Sequence, residues 1–124
     1  MSRSRKSAKD AGAKFERTIA DYLASEVDDR IDRRVKTGAK DRGDIAGLRH
    51  MGERVVVECK DYGGRLEPVA WTREAAVEAG NDDALLGLVA AKRRGTTDPS
   101  KQWVLMTMAD LVALIVGKHP NPGE

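Results

Sequence analysis

The sequence predicts an α/β sandwich with a central mixed β-sheet flanked by helices, and three observations carry that prediction. Phe15, Ile19, Tyr22 and Leu23 recur at helical spacing near the N-terminus. Two strand-like runs, the second opening Val55-Val56-Val57, are joined by the Gly-containing turn His50-Met51-Gly52-Glu53. Beyond them the segment order is helix, strand, strand, helix, so that helices and strands interleave as they do when both layers cover one sheet. A chain of 124 residues has room for one such domain, since domains cluster at roughly 100–150 residues.

Each element has its own local cause. Residues 1–9 are polar and basic and read as a flexible arm, leaving 10–117 as the single domain and 118–124, with two prolines, as a disordered tail. Ser7 followed by Asp10 resembles a capping box, and the amphipathic stripe that follows runs to about Ser25. Asp28–Gly43 is rich in Arg and Lys and ends in a Gly-flanked loop, Gly38–Gly43. Asp44–Arg49 and Arg54–Lys60 form the predicted hairpin. After the loop Asp61–Glu67, Pro68 suits a helix start and Val69–Gly80 reads as the second helix, with Trp71, Ala75, Ala76 and Ala79 available for packing. Leu85–Ala91 and Trp103–Met108 are strand candidates separated by the polar turn Lys92–Gln102, and Asp110 is placed to cap a last helix, Leu111–Val116.

Composition removes several function classes. The single cysteine, Cys59, excludes an internal disulfide framework and points to a reducing compartment. No run approaches the roughly 18 apolar residues of a membrane span, and the basic N-terminus is followed by no apolar segment of a secretory signal. A soluble, cytoplasmic protein with no membrane partner is the expectation. Net charge is +2, but it is unevenly spread. Residues 1–42 hold 12 Lys/Arg against 8 Asp/Glu, a net of +4, and residues 43–124 hold 10 against 12, a net of −2. A basic first third suits a polyanion.

The chemistry concentrates at the end of the valine-rich strand. Glu58 and Lys60 stand at i and i+2, on one face, about 6.6 Å apart, while Val57 and Cys59 face the other way. Asp44 opens the preceding strand. Registers that set it opposite Glu58 or Lys60 put all three side chains together, and a slip of one residue would separate them. Two carboxylates and an ammonium suit Mg²⁺, which takes oxygen ligands in octahedral geometry and usually one or two carboxylates with water and phosphate. Asp44 and Glu58 supply the carboxylates and the Cys59 carbonyl a third oxygen, with Mn²⁺ expected to substitute. Lys60 can orient or help deprotonate a bound water, or offset charge at the phosphorus. Glu16, at the edge of the first helix's apolar stripe, is a further acid able to reach such a site.

This ordered set resembles the PD-(D/E)xK nuclease superfamily and, within it, the archaeal-type Holliday junction resolvases and their phage relatives. The matching pieces are Lys14-Phe15-Glu16-Arg17, Gly43-Asp44-Ile45-Ala46 and Val57-Glu58-Cys59-Lys60, followed by the later helix-strand-strand-helix order, so that the resemblance covers about residues 10–116. It implies a restriction-endonuclease-like fold, with Asp44 and Glu58 as metal ligands, Lys60 as the catalytic lysine and Glu16 as the helix-borne acid. The superfamily's nominal proline before the aspartate is Gly43 in this chain. The implied activity is Mg²⁺-dependent cleavage of branched DNA by paired symmetric nicks, by a metal-activated water and without an organic cofactor. A cellular or virus-encoded protein acting in a cytoplasm fits that implication.

Arg33, Arg34, Lys36, Lys40 and Arg42 precede Asp44 and are candidate phosphate contacts, which give affinity and position without reading sequence. Tyr62 and Arg65, after Lys60, are candidate DNA contacts on the next loop. Gly38–Gly43 lacks the Gly-Lys-Ser/Thr ending of a phosphate-cradling loop. Trp71 and Trp103 read as packing anchors, Cys59 as a small core thiol. Leu111–Val116 is apolar all round and needs cover that a second subunit would supply. Symmetric cutting of a four-way junction requires two sites about a two-fold axis, hence an expected homodimer. The alternatives are a related RecB-like exonuclease or flap nuclease, and a module that binds branched DNA by shape without cutting it. Phosphate and metal contacts alone do not exclude RNA.

Overall fold

A computed structural model describes residues 3–36 and 38–120. Its elements are α1 (Arg5–Glu26), β1 (Asp32–Arg33), β2 (Ile45–Ala46), β3 (Arg49–His50), β4 (Glu53–Lys60), α2 (Pro68–Asn81), β5 (Leu86–Ala91), β6 (Trp103–Leu105) and α3 (Met108–Val116), with one short 3₁₀ turn at Pro99–Lys101. The sheet is mixed, in the order β1-β2-β4-β5-β6, with β3 also paired to β4. Only β4 and β5 run parallel. Parallel neighbours need a crossover, and α2 provides it.

The hairpin turns where its sequence predicts, although its first arm is not the continuous strand Asp44–Arg49. Met51 and Gly52 both take positive φ, 52° and 82°, the backbone of a two-residue turn whose twist matches its strands. His50 therefore pairs with Glu53. Further along, Ile45 pairs with Val57, which sets Asp44 beside Glu58 on the opposite face. The first hairpin arm is broken at Gly47 (φ 93°), where a Cβ would lie 2.8 Å from the Arg30 carbonyl oxygen. The chain bends there and β2 and β3 become separate pieces.

Alternation along β4 decides what each layer buries. Val57 and Cys59 pack with Phe15, Ile19, Ala20, Ile31 and Ile45 under α1. Val55 joins Leu86 and Ala113 under α3. The other face receives α2 through Trp71, Ala75, Val89 and Ala91. Side chains such as Phe15, Ile19 and Val57 contribute about 1.5–3 kcal/mol each by burial. Gly87 on β5 sets how closely α2 approaches, because a Cβ there would overlap the Ala75 carbonyl.

Several boundaries differ from the sequence expectation, each for a local reason. Helix α1 starts at Arg5, capped by Ser4, whose Oγ accepts from the Ser7 N–H at 3.1 Å. Ser4 offers the hydroxyl expected of Ser7 one turn earlier, and Arg5–Lys9 are helical rather than part of an arm. Met1 and Ser2 lie outside the described residues. Thr107 caps α3 and Asp110 completes a capping box from its third position. In the expected tail, His119 is bonded to Asp110 at 2.9 Å, and residues 121–124 lie outside the described residues. Strand β1 was not expected, since its two residues are held by pairing with β2 rather than by a pattern of their own. Strand β6 stops at Leu105, short of the expected Met108, and Trp103 is exposed on it, with the Arg93 guanidinium 4.6 Å over its ring. Among the described residues no helix is long and apolar enough to cross a membrane.

Candidate metal-binding active site

The carboxylates that the sequence places on one face do converge. Asp44 is buried, and its Oδ2 accepts the Cys59 N–H at 2.8 Å, which fixes one oxygen and leaves the other for a different partner. Gly43 before it has φ 95°. Proline holds φ near −65° and has no access to that backbone, and any Cβ there would lie 2.5 Å from Val56 Cγ1. A proline at position 43 is thus excluded by conformation. Glu58 is 4% exposed, with its Oε1 buried and without a hydrogen-bond partner. The Lys60 Nζ lies 3.5 Å from Glu58 Oε2 and 2.8 Å from Glu74 Oε2.

Three acids not foreseen from the sequence complete the group. Glu74 and Glu78, one turn apart on α2, and Asp41 on the loop before β2 each bring a carboxylate oxygen to within 4.8 Å of the others and of Glu58. Glu78 is 1% exposed, and neither of its oxygens has a hydrogen-bond partner. A sequence signal for it existed: Trp71, Ala75, Glu78 and Ala79 fall on one helical stripe, and all four are buried. This cluster, with Glu58 and Glu78 buried, Glu74 half-buried and Asp41 exposed, has the carboxylates to hold a metal ion.

The electrostatics follow from crowding. Burial, then the approach of the Asp44 and Glu74 carboxylates, pushes Glu58 up to about 12. Burial raises Glu78 to about 7; the neighbouring Glu58 carboxyl works against the shift, and the charges of Asp41, Glu74 and Asp44 add to it. Glu74 moves the other way: burial opposes its ionisation, but Glu58 and the Lys60 ammonium hold it below the usual range. Burial likewise works against the Lys60 charge, and the bond to Glu74 with the charges of Glu58 and Glu74 outweighs it, so Lys60 is raised. Buried carboxylates in such numbers favour a counter-charge, and a proton or a metal ion can supply it.

The α1 side of β4 is different. The Arg33 guanidinium donates to Glu16 Oε1 at 3.2 Å, so Glu16 is engaged by β1 and is not among the three acids that cluster around Glu58. The Cys59 thiol is raised, first by burial and then by Asp44, Glu16 and Glu58. That suits a core thiol, and only the Cys59 carbonyl is left as a ligand at that position.

The basic candidates divide into engaged and open. Arg33 is held by Glu16. Arg34 pairs with Asp82 at 3.0 Å and donates its backbone N–H to the Asp44 carbonyl at 2.8 Å. Lys36, Lys40 and Arg42 are exposed and line, with Arg34, a cleft of about 200 Å³ beside Gly43. Tyr62 leans on Trp71 at 5.1 Å, with Arg65 at 5.3 Å over its ring. These two residues share a cleft of about 660 Å³ with Arg3, Cys59 and Lys60. Two arginines that the sequence did not single out, Arg49 and Arg54, join Arg34, Arg42 and Asn81 around a third cleft of about 480 Å³. No family model, curated protein or solved structure matches the chain.

Proposed function

We propose that this protein is a divalent-metal-dependent, structure-selective DNA endonuclease that resolves four-way junctions, similar to the archaeal-type Holliday junction resolvases of the PD-(D/E)xK superfamily. The observation that carries this reading is the convergence of Asp44, Glu58 and Lys60 on one face of the sheet, next to carboxylate oxygens that are buried and bare. Such oxygens fit a cation: a buried carboxylate without a hydrogen bond is costly unless something positive meets it. Asp44, Glu58 and the Cys59 carbonyl would hold the ion, with Mg²⁺ as the physiological choice and Mn²⁺ as a substitute. When bound, it would lower the pKa of a water and neutralise charge building on the phosphate.

The chain's own groups divide the remaining work. The Cys59 N–H orients Asp44. Lys60, kept protonated by Glu58 and Glu74, acts as a fixed positive charge and hydrogen-bond donor for a phosphate oxygen rather than as a proton acceptor. Lys36, Lys40 and Arg42 on one side, and Tyr62 and Arg65 on the other, flank the carboxylates where a DNA backbone would run. Two such sites about a two-fold axis make a homodimer part of the proposal. The exposed side chains of Met108, Val112, Ile115 and Val116 on α3 are the apolar surface that a second copy would cover.

The test is cleavage of a labelled four-way junction beside a linear duplex of the same arms, with Mg²⁺ or chelator, for wild type and Asp44→Asn. Paired nicks in the junction alone, abolished by chelator and lowered about 10³-fold by the substitution, are expected, several kcal/mol of metal stabilisation being at stake. Tight junction binding with no cutting under any divalent ion would leave a shape-selective binder and end the enzyme reading.

A further inference from the structure

We infer that the cleft beside Lys60 takes a single unpaired nucleobase of the DNA, stacked on the Tyr62–Arg65 pair while its strand passes the carboxylates. This deepens the nuclease reading and rests on it for where the strand is cut.

The stack is already built. Trp71 is packed against Ala75, Val89 and Ala91 under α2. Tyr62 leans on it with ring centroids 5.1 Å apart, and the Arg65 guanidinium stands 5.3 Å over the Tyr62 ring. Exposure rises along this series, from 3% at Trp71 to 47% at Tyr62 and 62% for the Arg65 side chain. Core packing accounts for Trp71, but not for a half-exposed ring carrying a cation. Aromatic faces and guanidinium planes are what unstacked bases settle on, whichever base it is.

The loop that carries the pair is pinned from two sides. Arg3 Nη1 and Nη2 donate to the Asp61 carbonyl and Oδ1 at 3.1 and 3.0 Å, and Oδ1 also accepts the Gly63 N–H at 3.1 Å. The Arg65 N–H closes a turn on the Tyr62 carbonyl at 3.2 Å. From the β5–β6 connection, Arg94 Nε donates to the Gly63 carbonyl at 3.3 Å. A platform fixed in this way loses little freedom when a ligand arrives.

Space and reach agree. The cleft of about 660 Å³ falls within the roughly 300–1,000 Å³ that receives small organic ligands. It has room for one nucleoside and not for a duplex. Its α1 wall is Ala8 and Gly12, and a Cβ at Gly12 would meet nothing within 4 Å. Lys60 lines the same cleft, so a strand whose phosphate meets the Lys60 ammonium brings the adjoining base to Tyr62. Drawing a base out of its stack costs least where pairing is already lost. Such a site favours DNA with loosened bases, as at a branch point, over continuous duplex, and does so without reading sequence.

The experiment reads binding, not cleavage. Dye-labelled duplexes carrying one unpaired adenine, an abasic residue at that position, or no unpaired residue are titrated with the full chain by fluorescence anisotropy. Ca²⁺ replaces Mg²⁺, and the strands are checked intact afterwards. Wild type should bind the adenine probe at least tenfold tighter than the abasic one, the size expected of one stacked base. Tyr62→Ala removes the ring, and Gly12→Leu fills the wall with a better helix former. Each, with native circular dichroism, should bring that ratio to within threefold of one; if Tyr62→Ala does not fold, Gly12→Leu decides alone. Equal affinity for the two probes in wild type, or a ratio kept by either folded variant, overturns the base site. A preference for adenine with no cutting in Mg²⁺ leaves the base site standing and ends the nuclease reading. Junction cutting without that preference does the reverse.

Discussion

On β4, Val57 and Cys59 point toward α1, while Glu58 and Lys60, each one residue away, point toward α2. On the α1 side the strand meets Phe15 and Ile19, and the Cys59 thiol is partly buried against them. The one acid nearby, Glu16, is answered by Arg33. On the α2 side the same backbone carries two ionisable groups under a helix that adds two more carboxylates, and three oxygens of Glu58 and Glu78 find no partner. The two faces differ in what they leave unanswered. A face that exists to stabilise satisfies its polar groups, and one that leaves several carboxylates bare is arranged for something else.

The sharpest way to break this contrast is to substitute neighbours on β4. Lys60→Ala should lower junction cleavage about 10²–10³-fold with the fold retained, because a preorganised charge at the phosphate is lost. Cys59→Ala, one position away, should change cleavage less than threefold, since its backbone N–H and carbonyl remain. Equal losses from both, read as single-turnover rates, would mean that the faces do not divide the work as described.

Stability against pH sharpens the same point. Glu78 titrates near 7 when folded, above the 4.5 of a free glutamate. The native state therefore binds the extra proton, and the associated penalty is absent below about pH 4.5, grows as pH rises and is complete above 7. With chelator present, wild type should lose about 5–10 °C of melting temperature between pH 5 and 7.5 relative to Glu78→Gln, given about 1.4 kcal/mol per pKa unit. Saturating Mg²⁺ should remove most of that difference. A parallel pH dependence in the two proteins would show that Glu78 ionises without strain.

Much of this site was legible in the sequence, and the reason is local. Strand alternation fixes that Glu58 and Lys60 share a face, and the turn at Met51-Gly52 fixes the register that brings Asp44 to them. Glu74, Glu78 and Asp41 were not read, because their arrival depends on how α2 lies across the sheet. That is set by Gly87 meeting the Ala75 carbonyl, a contact between distant residues. Glu16 shows the converse. Its position on α1 is plain from the helical period, but its partner Arg33 sits on a two-residue strand held in place by pairing alone. The glycine at position 43 is explained by a backbone angle that no motif string records.

Smaller effects follow on the α1 face. Glu16→Gln should reduce cleavage less than tenfold, through a loosened Arg33 rather than a lost ligand, and should leave Mn²⁺ affinity unchanged. A large drop in Mn²⁺ affinity would instead bring Glu16 to the metal. The Cys59 thiol, raised by burial, should resist alkylation by iodoacetamide at pH 8 until the protein is unfolded. Rapid labelling of the native chain would mean that α1 does not seal this face.

The central claim is that the α2 face of β4 is built to hold divalent cations at Asp44 and Glu58. The most direct measurement is anomalous X-ray scattering from crystals soaked in Mn²⁺. The account predicts a manganese peak within coordination distance of both carboxylates, with Lys60 beside it and not in its place. Saturated crystals with no peak near either residue, and the Lys60 ammonium alone meeting Glu58, would contradict it.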